Sequence, residues 1–374
     1  MSDRVDNGPK LPLFRREERH ELRYQLSIGM ATALSWIAWA MPFPMRMRVA
    51  DAFGVLFYHF STTYSANVEH NVRQVLGPDV SEAEVAACVK SIFRTSARNF
   101  VDLLVMPRWN DAHFLNVLDV VEGDFSIVRD ALALGKGVIF VTGHVGCFDF
   151  IGQALRSNGF PLTIVTGRTT SRFVFDGVTH LRSAHGNLLV EPTPSGVRRA
   201  YRTVRQNGCA VIVSDRDFFQ NGRPIDFFGK RTTLPPGAVR IARDTGAMVV
   251  PVISHRKGKR HGIQILDPFT IDKTRDIDQD LDTGLRRIAS ALEYGIRSHV
   301  EQWAMFQRVW PEHAPAPVRV FPVGSPLESE LLERVASALP ERKTPARRRR
   351  ARTVLSPLTA LWRRLRRSGT SNGG

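Results

Sequence analysis

Short apolar runs alternate with amphipathic stretches through the middle of this chain. The runs are rich in β-branched residues and are bounded by glycine, proline or asparagine, which is typical of buried strands. They lie at residues 138–141, 162–165, 209–214 and 248–255. The segments between them, such as 148–157 and 195–207, keep the apolar spacing of a helix. This alternation predicts an α/β fold, with a central, mainly parallel or mixed sheet flanked by helices.

The region before the sheet is predicted to be helical. Ser81 and the acids after it indicate a helix start, apolar residues then keep helical spacing, and Pro107 ends the segment. Further upstream, residues 26–43 contain no charged side chain. The length of this run is near the lower limit for a helix that crosses a bilayer. Trp36 and Trp39 suit a membrane interface. This helix either dips into or marginally spans a membrane, or it is a buried helix of a soluble core.

Positive charge is concentrated at the carboxyl end. The chain has 374 residues and a formal net charge of +16, and residues 341–367 contain eleven Arg or Lys against one acid. Residues 353–367 combine a leucine and tryptophan stripe with arginines, which predicts a basic amphipathic helix on an anionic membrane surface. An arginine-rich tail can also bind nucleic acid, but the apolar stripe favours the membrane.

The strand at residues 138–141 leads into a candidate catalytic pair. His144 follows the strand, and Asp149 comes five residues later at the start of a predicted helix. A histidine at a strand end can act as a general base, because its ordinary pKa lies near neutrality. Asp149 is predicted to hold one imidazole nitrogen. The alternative is a histidine with a purely structural hydrogen bond and an early-helix charge.

Further candidates for substrate binding follow the later strands. Some are charged residues at strand ends, where arginine can bind a phosphate through two hydrogen bonds. The others precede a predicted helix that opens with two prolines, and the N-terminus of a helix attracts anions. These candidates are Arg168, Asp215, Arg216, Asp217, Lys230 and Arg231. Asp215, Arg216 and Asp217 can also form a self-contained ion-pair cluster, and the other basic residues can be solvated loop charges. No metal-ligand spacing and no nucleotide-binding glycine pattern occurs, so neither metal nor cofactor is expected. The three scattered cysteines fit a reducing compartment.

Three blocks of sequence together resemble one enzyme family. They are GKGVIFVTGHVGCFD, DFFGKRTTLPPGAVRIARDTGAMVVPV and EQWAMFQRVWPEH, in that order. The His-x-x-x-x-Asp spacing resembles the signature of glycerolipid and lysophospholipid acyltransferases. The longer frame resembles the branch with bacterial lipid A acyltransferases and phosphatidylinositol mannoside acyltransferases. This chain has Asp-Arg-Asp where many glycerolipid enzymes have Glu-Gly-Thr-Arg, so a simple glycerol-3-phosphate acceptor is not implied.

The resemblance implies a membrane-associated acyltransferase at the cytoplasmic face of the inner membrane. It would move an acyl group from acyl-CoA or acyl carrier protein to a hydroxyl of a lipid or glycolipid, with His144 as base and Asp149 orienting it. Four regions are expected: residues 1–60 with the membrane helix, 61–118 as a helical prelude, 119–315 as the catalytic domain, and 316–374 as a basic tail. The competing function is a non-catalytic adaptor that binds membranes or nucleic acid through the tail.

Overall fold

Helices precede the sheet in the computed structural model, which describes residues 16–167, 171–218 and 220–311. They are α1 (Arg16–Ala40), α2 (Phe43–Phe60), α3 (Thr62–Leu76) and α4 (Glu82–Val105). The predicted start of α4 is confirmed, because the Ser81 hydroxyl accepts from the backbone N–H of Glu84 while the Glu84 carboxylate accepts from that of Ser81. A short 3₁₀ turn, Met106–Arg108, follows α4 and contains Pro107.

Helices and strands alternate over residues 111–213, as the sequence pattern predicts, whereas the later strands come in consecutive pairs. The strands are β1 (Leu118–Glu122), β2 (Val138–Thr142), β3 (Leu162–Val165), β4 (Leu188–Val190), β5 (Cys209–Val213), β6 (Arg223–Phe227), β7 (Lys230–Leu234), β8 (Met248–Lys257) and β9 (Arg260–Ile265). The helices are α5 (Asp111–Val117), α6 (Ser126–Ala133), α7 (Phe148–Ser157), α8 (Arg172–Ser183), α9 (Pro194–Arg205), α10 (Gly237–Thr245) and α11 (Ile277–Ser298). The sequence pattern does not predict helices α5 and α8 or strands β6 and β7.

Seven strands form one mixed sheet in the order β1-β9-β8-β2-β5-β3-β4. Strands β8, β2, β5, β3 and β4 are mutually parallel, whereas β9 runs antiparallel to β8. The central strand β2 is buried along its whole length, as expected for a parallel strand with helices on both faces. The predicted α/β class with a mainly parallel or mixed sheet is therefore confirmed.

The two faces of the sheet carry separate core layers. Ile139 and Val141 pack into the layer that contains residues of α9, α10 and α11. Val138 and Phe140 point the other way, into the layer that contains residues of α1 and α7. Strands β6 and β7 form a separate antiparallel hairpin beside the sheet.

Helix α1 turns its small residues toward the protein. Four of its residues, at intervals of three or four, are buried: Ser27, Ala31, Ser35 and Ala38. The Ser27 hydroxyl donates to the carbonyl of Phe173, and the Ser35 hydroxyl donates to that of Leu104. Large apolar residues of the same helix are exposed, namely Leu26, Met30, Leu34, Trp36, Ile37 and Trp39. Among the described residues, no helix is long and apolar enough to cross a membrane.

Several predictions concern residues outside the described ranges. The basic tail at 316–374, with its predicted amphipathic helix at 353–367, lies there, and so does Arg168. The division into four regions stays a prediction.

Candidate active site

The register of two neighbouring strands brings His144 and Asp215 together. Thr142, the last residue of β2, pairs with Val213, the last residue of β5. His144 and Asp215 each follow two residues later, so both lie at the carboxyl edge of the sheet, where ligands commonly bind in such folds. The backbone N–H of Ser214 still donates to the carbonyl of Thr142 at 2.8 Å, which extends the pairing into the site.

Asp215 holds His144 at two points. The His144 Nδ1 lies 2.8 Å from Asp215 Oδ1, and the His144 backbone N–H donates to Asp215 Oδ2 at 2.7 Å. The indole N–H of Trp303 donates to the same Oδ2 at 2.9 Å. Burial alone would raise the pKa of this fully buried carboxyl, but the interactions with His144 and Trp303 outweigh it and lower the pKa. Asp215 is therefore ionised, and Nδ1 carries the hydrogen that it accepts.

Asp149 is not the partner of His144, so the sequence prediction of that contact is wrong. Both Asp149 oxygens accept from Arg182, at 2.6 Å from Nε and 3.1 Å from Nη2. Arg182 also donates to the Thr166 hydroxyl at 3.1 Å. Residue 149 lies in the first turn of α7, and the guanidinium of α8 offers it a bidentate partner that a single imidazole nitrogen cannot match.

Asp149 is connected to the His144 ring through Arg182 and Phe148. The Arg182 guanidinium lies 6.0 Å from the centre of the Phe148 ring. Phe148 in turn packs edge-on against the His144 ring, with centroids 5.0 Å apart. The Asp149–Arg182 pair thus supports one face of the imidazole, whereas Asp215 fixes its Nδ1.

A short segment near the described carboxyl end clamps the loop that carries His144. The backbone N–H of Ala304 donates to the His144 carbonyl at 2.8 Å, and that of Gly146 donates to the Gln302 carbonyl at 3.1 Å. Two glycines leave room for this arrangement. A Cβ at Gly143 would lie 3.0 Å from Asp215 Oδ2, and one at Gly146, which has a φ of 54°, would lie 2.5 Å from the Ser254 carbonyl oxygen.

His144 opens onto a small cavity. Its side chain is 25% exposed, and it lines a cavity of about 270 Å³. The other lining residues are Phe57, Tyr64, Arg216, Ala304, Met305, Phe306 and Gln307. Three aromatic side chains from distant parts of the chain meet here, since the rings of Phe57 and Tyr64 both lie about 6 Å from that of Phe306. The cavity is therefore apolar on one side and cationic or basic on the other.

Arg216 is the cation of this cavity. Its guanidinium lies 5.0 Å from the centre of the Phe218 ring and has neither a hydrogen bond nor an ion pair among the described residues. Burial lowers its pKa, because a partly desolvated cation lacks the water that would stabilise it. An anion or a developing negative charge in the cavity would supply that stabilisation.

The other predicted residues lie outside the cavity. Asp217 accepts from the backbone N–H groups of Asn221 and Gly222 and from the Thr233 hydroxyl, so it closes the turn before the hairpin. Lys230 and Arg231 are exposed on β7, and Arg231 lies 3.5 Å from Asp226 across the hairpin. The structure does not bring these three residues together with His144. The predicted self-contained cluster of Asp215, Arg216 and Asp217 does not form either, because Asp215 binds His144 and Trp303, Asp217 binds the turn, and Arg216 lies over the Phe218 ring.

Trp303 and Arg182 are site residues that sequence reasoning did not identify. Trp303 belongs to a block that carries the family resemblance, and its spacing to Phe306 and Trp310 predicts core packing. That prediction is correct for the ring, which is 1% exposed, yet incomplete for the indole N–H. Arg182 lies on α8, a helix that the pattern did not predict.

One group of possible metal ligands occurs among the described residues. It consists of Asp102, Cys147 and His261, all buried. Arg256 forms an ion pair with Asp102, and burial raises the pKa of the Cys147 thiol. Because the carboxylate already has a cation and the thiolate is disfavoured, this group is better explained as a packed ion pair under the catalytic loop.

Comparison with known proteins gives the same answer as the motifs. The profile described as bacterial lipid A biosynthesis acyltransferase matches residues 12–312. The phosphatidylinositol mannoside acyltransferase of Mycobacterium tuberculosis (strain CDC 1551 / Oshkosh) is 25% identical over 245 residues, which cover 64% of this chain and 75% of that protein. Its counterpart in Mycolicibacterium smegmatis is 24% identical over 250 residues, covering 65% and 78%.

A lipid A enzyme is a more distant relative. The lipid A biosynthesis acyltransferase of Haemophilus influenzae is 21% identical over 223 residues, covering 57% of this chain and 66% of that protein. The resemblance seen in the sequence is thus confirmed over most of the chain, and an enzyme is favoured over a non-catalytic adaptor. This chain is an acyltransferase that belongs to the bacterial lipid A biosynthesis acyltransferase family.

Proposed function

We propose that this enzyme transfers a fatty acyl group from a thioester donor to a hydroxyl of a membrane glycolipid, with His144 as the general base. The observation that carries the proposal is the hydrogen bond from His144 Nδ1 to buried Asp215, at the mouth of a partly apolar cavity. With Nδ1 protonated, Nε2 is the free acceptor. A base that is held in this way can take a proton only at that nitrogen.

The reaction follows from this tautomer. Nε2 accepts the proton of the acceptor hydroxyl as its oxygen attacks the thioester carbonyl carbon. The negative charge of Asp215 stabilises the imidazolium that forms. The carbon–sulfur bond then breaks, and the imidazolium returns the proton to the leaving thiolate. The products are an ester and a free thiol, and no acyl-enzyme is needed because the acceptor attacks directly.

Arg216 is proposed to stabilise the negative charge on the thioester carbonyl oxygen as it develops. Its partly desolvated guanidinium lines the same cavity as His144. The preceding residue, Asp215, binds His144, so Arg216 is close to the base along the chain. A preorganised cation in a site of low polarity contributes most when charge develops in the transition state. The apolar residues Phe57, Met305 and Phe306 suit the first part of an acyl chain.

The exposed face of α1 is proposed to rest on the membrane, where the lipid acceptor is found. Small and hydroxyl-bearing residues of α1 face the protein, and its large apolar residues face outward. Helix α2 continues this pattern with Met45, Val49, Phe53, Leu56 and Phe60, which are all exposed. A soluble monomer rarely exposes so large an apolar patch. This surface supports peripheral attachment, which we place at the cytoplasmic face of the inner membrane.

The acceptor is proposed to be a glycolipid hydroxyl. The relatives above are named for phosphatidylinositol mannoside and for lipid A, which are both glycolipids. The three cysteines are free and buried, which fits the reducing side of the membrane.

Purified enzyme supplied with radiolabelled acyl thioesters and total membrane lipid tests this function. We expect label to enter an ester-linked glycolipid with the wild type and not with His144→Ala. Lipid mass spectrometry of cells with and without the gene then identifies the acceptor. Release of free fatty acid as the sole product, with no labelled lipid, would contradict the proposal.

A further inference from the structure

Helix α3 directs a row of polar side chains at backbone groups far away in the sequence. At 3.6 residues per turn, the members of this row fall within an arc of about 100°: Asn67, His70, Asn71 and Gln74. The Asn67 side-chain N–H donates to the Phe306 carbonyl at 3.1 Å. His70 Nε2 lies 3.1 Å from the carbonyl oxygen of Trp310. The row therefore contacts residues 303–310, which we call the 303–310 segment.

Asn71 makes the largest number of hydrogen bonds in this row. Its NH₂ group donates to the carbonyls of Met305 and Gln307, at 3.1 Å and 2.7 Å. Its Oδ1 accepts from the backbone N–H of Val309 at 3.0 Å. An amide combines two donor hydrogens with an acceptor oxygen, so all of its hydrogen-bonding groups are used here. Asn71 is 1% exposed, so water does not replace these bonds.

The 303–310 segment depends on side chains for its hydrogen bonds. Residues 304–310 form neither helix nor strand. Backbone polar groups that are buried need partners, and outside helices and strands side chains or water must supply them. The α3 row supplies partners for four carbonyls of the segment, those of Met305, Phe306, Gln307 and Trp310.

The same segment forms one wall of the active site. The indole N–H of Trp303 donates to Asp215 Oδ2, and the backbone N–H of Ala304 donates to the His144 carbonyl. Residues 304–307 line the cavity onto which His144 opens. Bonds that fix this segment therefore also fix the donors that hold the base and its carboxylate.

The packing of α3 does not require a polar residue at position 71. Val68, Val72 and Val75 of the same helix are already buried in the core layer on that face of the sheet. An apolar residue at position 71 would extend this packing, whereas an amide provides hydrogen bonds to the wall of the active site.

We propose that Asn71 is a positioning residue of this acyltransferase, which holds Asp215 and His144 in the productive geometry through the 303–310 segment. This inference rests on the proposed role of His144 as the general base. Asn71 contacts neither the base nor its carboxylate, so it acts through the position of the wall. A misplacement of about 1 Å can cost about 10²-fold in rate, and we expect the loss mainly in kcat, with a smaller change in the donor KM.

Asn71→Leu tests this role, because leucine keeps the size of the side chain but makes none of the three hydrogen bonds. Gln74→Leu is the matched control on the same face of α3, since Gln74 donates to the Phe228 carbonyl at 2.9 Å, outside the 303–310 segment. We expect kcat to fall about 10²-fold in Asn71→Leu and less than about threefold in Gln74→Leu. The rates are measured at a temperature where circular dichroism shows both variants to be folded. Unchanged kcat in Asn71→Leu would overturn the inference.

A double-mutant cycle separates positioning from stability. Because Asn71 is proposed to act through Trp303, Asn71→Leu should cost at least about threefold less in kcat in the Trp303→Phe background than in the wild type. A role in stability alone predicts equal losses per folded enzyme in both backgrounds, and that result would overturn the inference. Asn67→Ala removes one bond to the same segment at a part-buried position, so it repeats the cycle with a milder change where Asn71→Leu does not fold.

Hydrogen exchange gives a readout that does not depend on acyl transfer. Asn71→Leu should speed exchange of the Ala304 and Val309 amides by at least about tenfold more than that of amides in β2. An equal increase in β2 and in the 303–310 segment, or none in either, would overturn the inference. Wild-type acyl transfer by His144→Ala would instead refute the proposed function, and hydrogen exchange would still decide whether Asn71 holds the segment.

Discussion

Asp215→Asn removes the charge of the carboxylate that holds His144 while keeping its size. The wild-type carboxylate accepts hydrogen bonds at both oxygens, from Trp303 and the His144 backbone at Oδ2 and from His144 Nδ1 at Oδ1. Asparagine has one oxygen and one NH₂ group. Its oxygen would take the Oδ2 position, where two N–H donors converge. The NH₂ group must then face His144 Nδ1.

The magnitude of the effect follows from this forced orientation. An NH₂ group at Nδ1 makes that nitrogen an acceptor, so the hydrogen moves to Nε2 and the base is blocked. The substitution also removes the charge that stabilises the imidazolium. A positioned general base is worth about 10² to 10⁴ in rate, so we expect kcat to fall by about 10³ to 10⁴, or about 4 to 5 kcal/mol in activation free energy.

The assay is the initial rate of ester formation from a radiolabelled thioester, with folding of the variant verified by circular dichroism. Trp303→Phe is the matched control, because it keeps a buried ring and removes one donor to Oδ2 without altering Nδ1. We expect this control to lose about tenfold, the cost of one hydrogen bond to a charged group. An Asp215→Asn enzyme with wild-type kcat, or one that loses less than Trp303→Phe, would refute the assignment of Asp215.

Three further predictions concern residues around the site and on the surface. Asp149→Asn should weaken the half-buried pair with Arg182, lowering the free energy of unfolding by about 1 to 2 kcal/mol in urea denaturation and lowering kcat less than His144→Ala does. Burial and the neighbouring His299 lower the pKa of His255 from 6.5 to about 4. Between these two pH values the unfolded chain binds a proton that the folded chain does not, so the free energy of unfolding falls as the pH falls. His255→Phe, which keeps the ring stack, should therefore lose less Tm than the wild type between about pH 7 and pH 5; an equal loss would contradict this origin. Trp36→Glu with Ile37→Glu on the exposed face of α1 should reduce cosedimentation with neutral vesicles at high salt, and unchanged sedimentation would show that another surface binds lipid.

The sequence predicts the strands and the base better than it predicts the partner of the base. Local patterns place β2 and α7 correctly, because glycine and apolar runs determine where these elements end. The partner of His144 depends on which strand lies beside β2 in the sheet. That strand is β5, the third strand after β2 along the chain, whereas β3 and β4 lie further out. Proximity along the chain predicts Asp149 as the partner of His144, whereas the neighbouring strand places Asp215 there. No local pattern encodes that strand order.

Helix α1 shows the same limit. The uncharged run at residues 26–43 predicts a helix, and α1 covers most of it, but composition could not show which side chains face the protein and which face outward. Its small residues face inward because Ser27 and Ser35 find backbone carbonyls on neighbouring segments, at Phe173 and Leu104. The direction of the apolar face is therefore a consequence of tertiary packing.

The central claim is that His144 activates the acceptor hydroxyl without forming an acyl-enzyme. Rapid-quench single turnover with His144→Ala and the wild type, using radiolabelled thioester and membrane lipid, tests it most directly. We predict labelled lipid from the wild type with no acyl group on the protein at any time by intact mass, and a transfer rate at least about 10² lower for His144→Ala. Transfer by His144→Ala at the wild-type rate, or an acylated protein that forms and decays as the lipid is labelled, would contradict the claim.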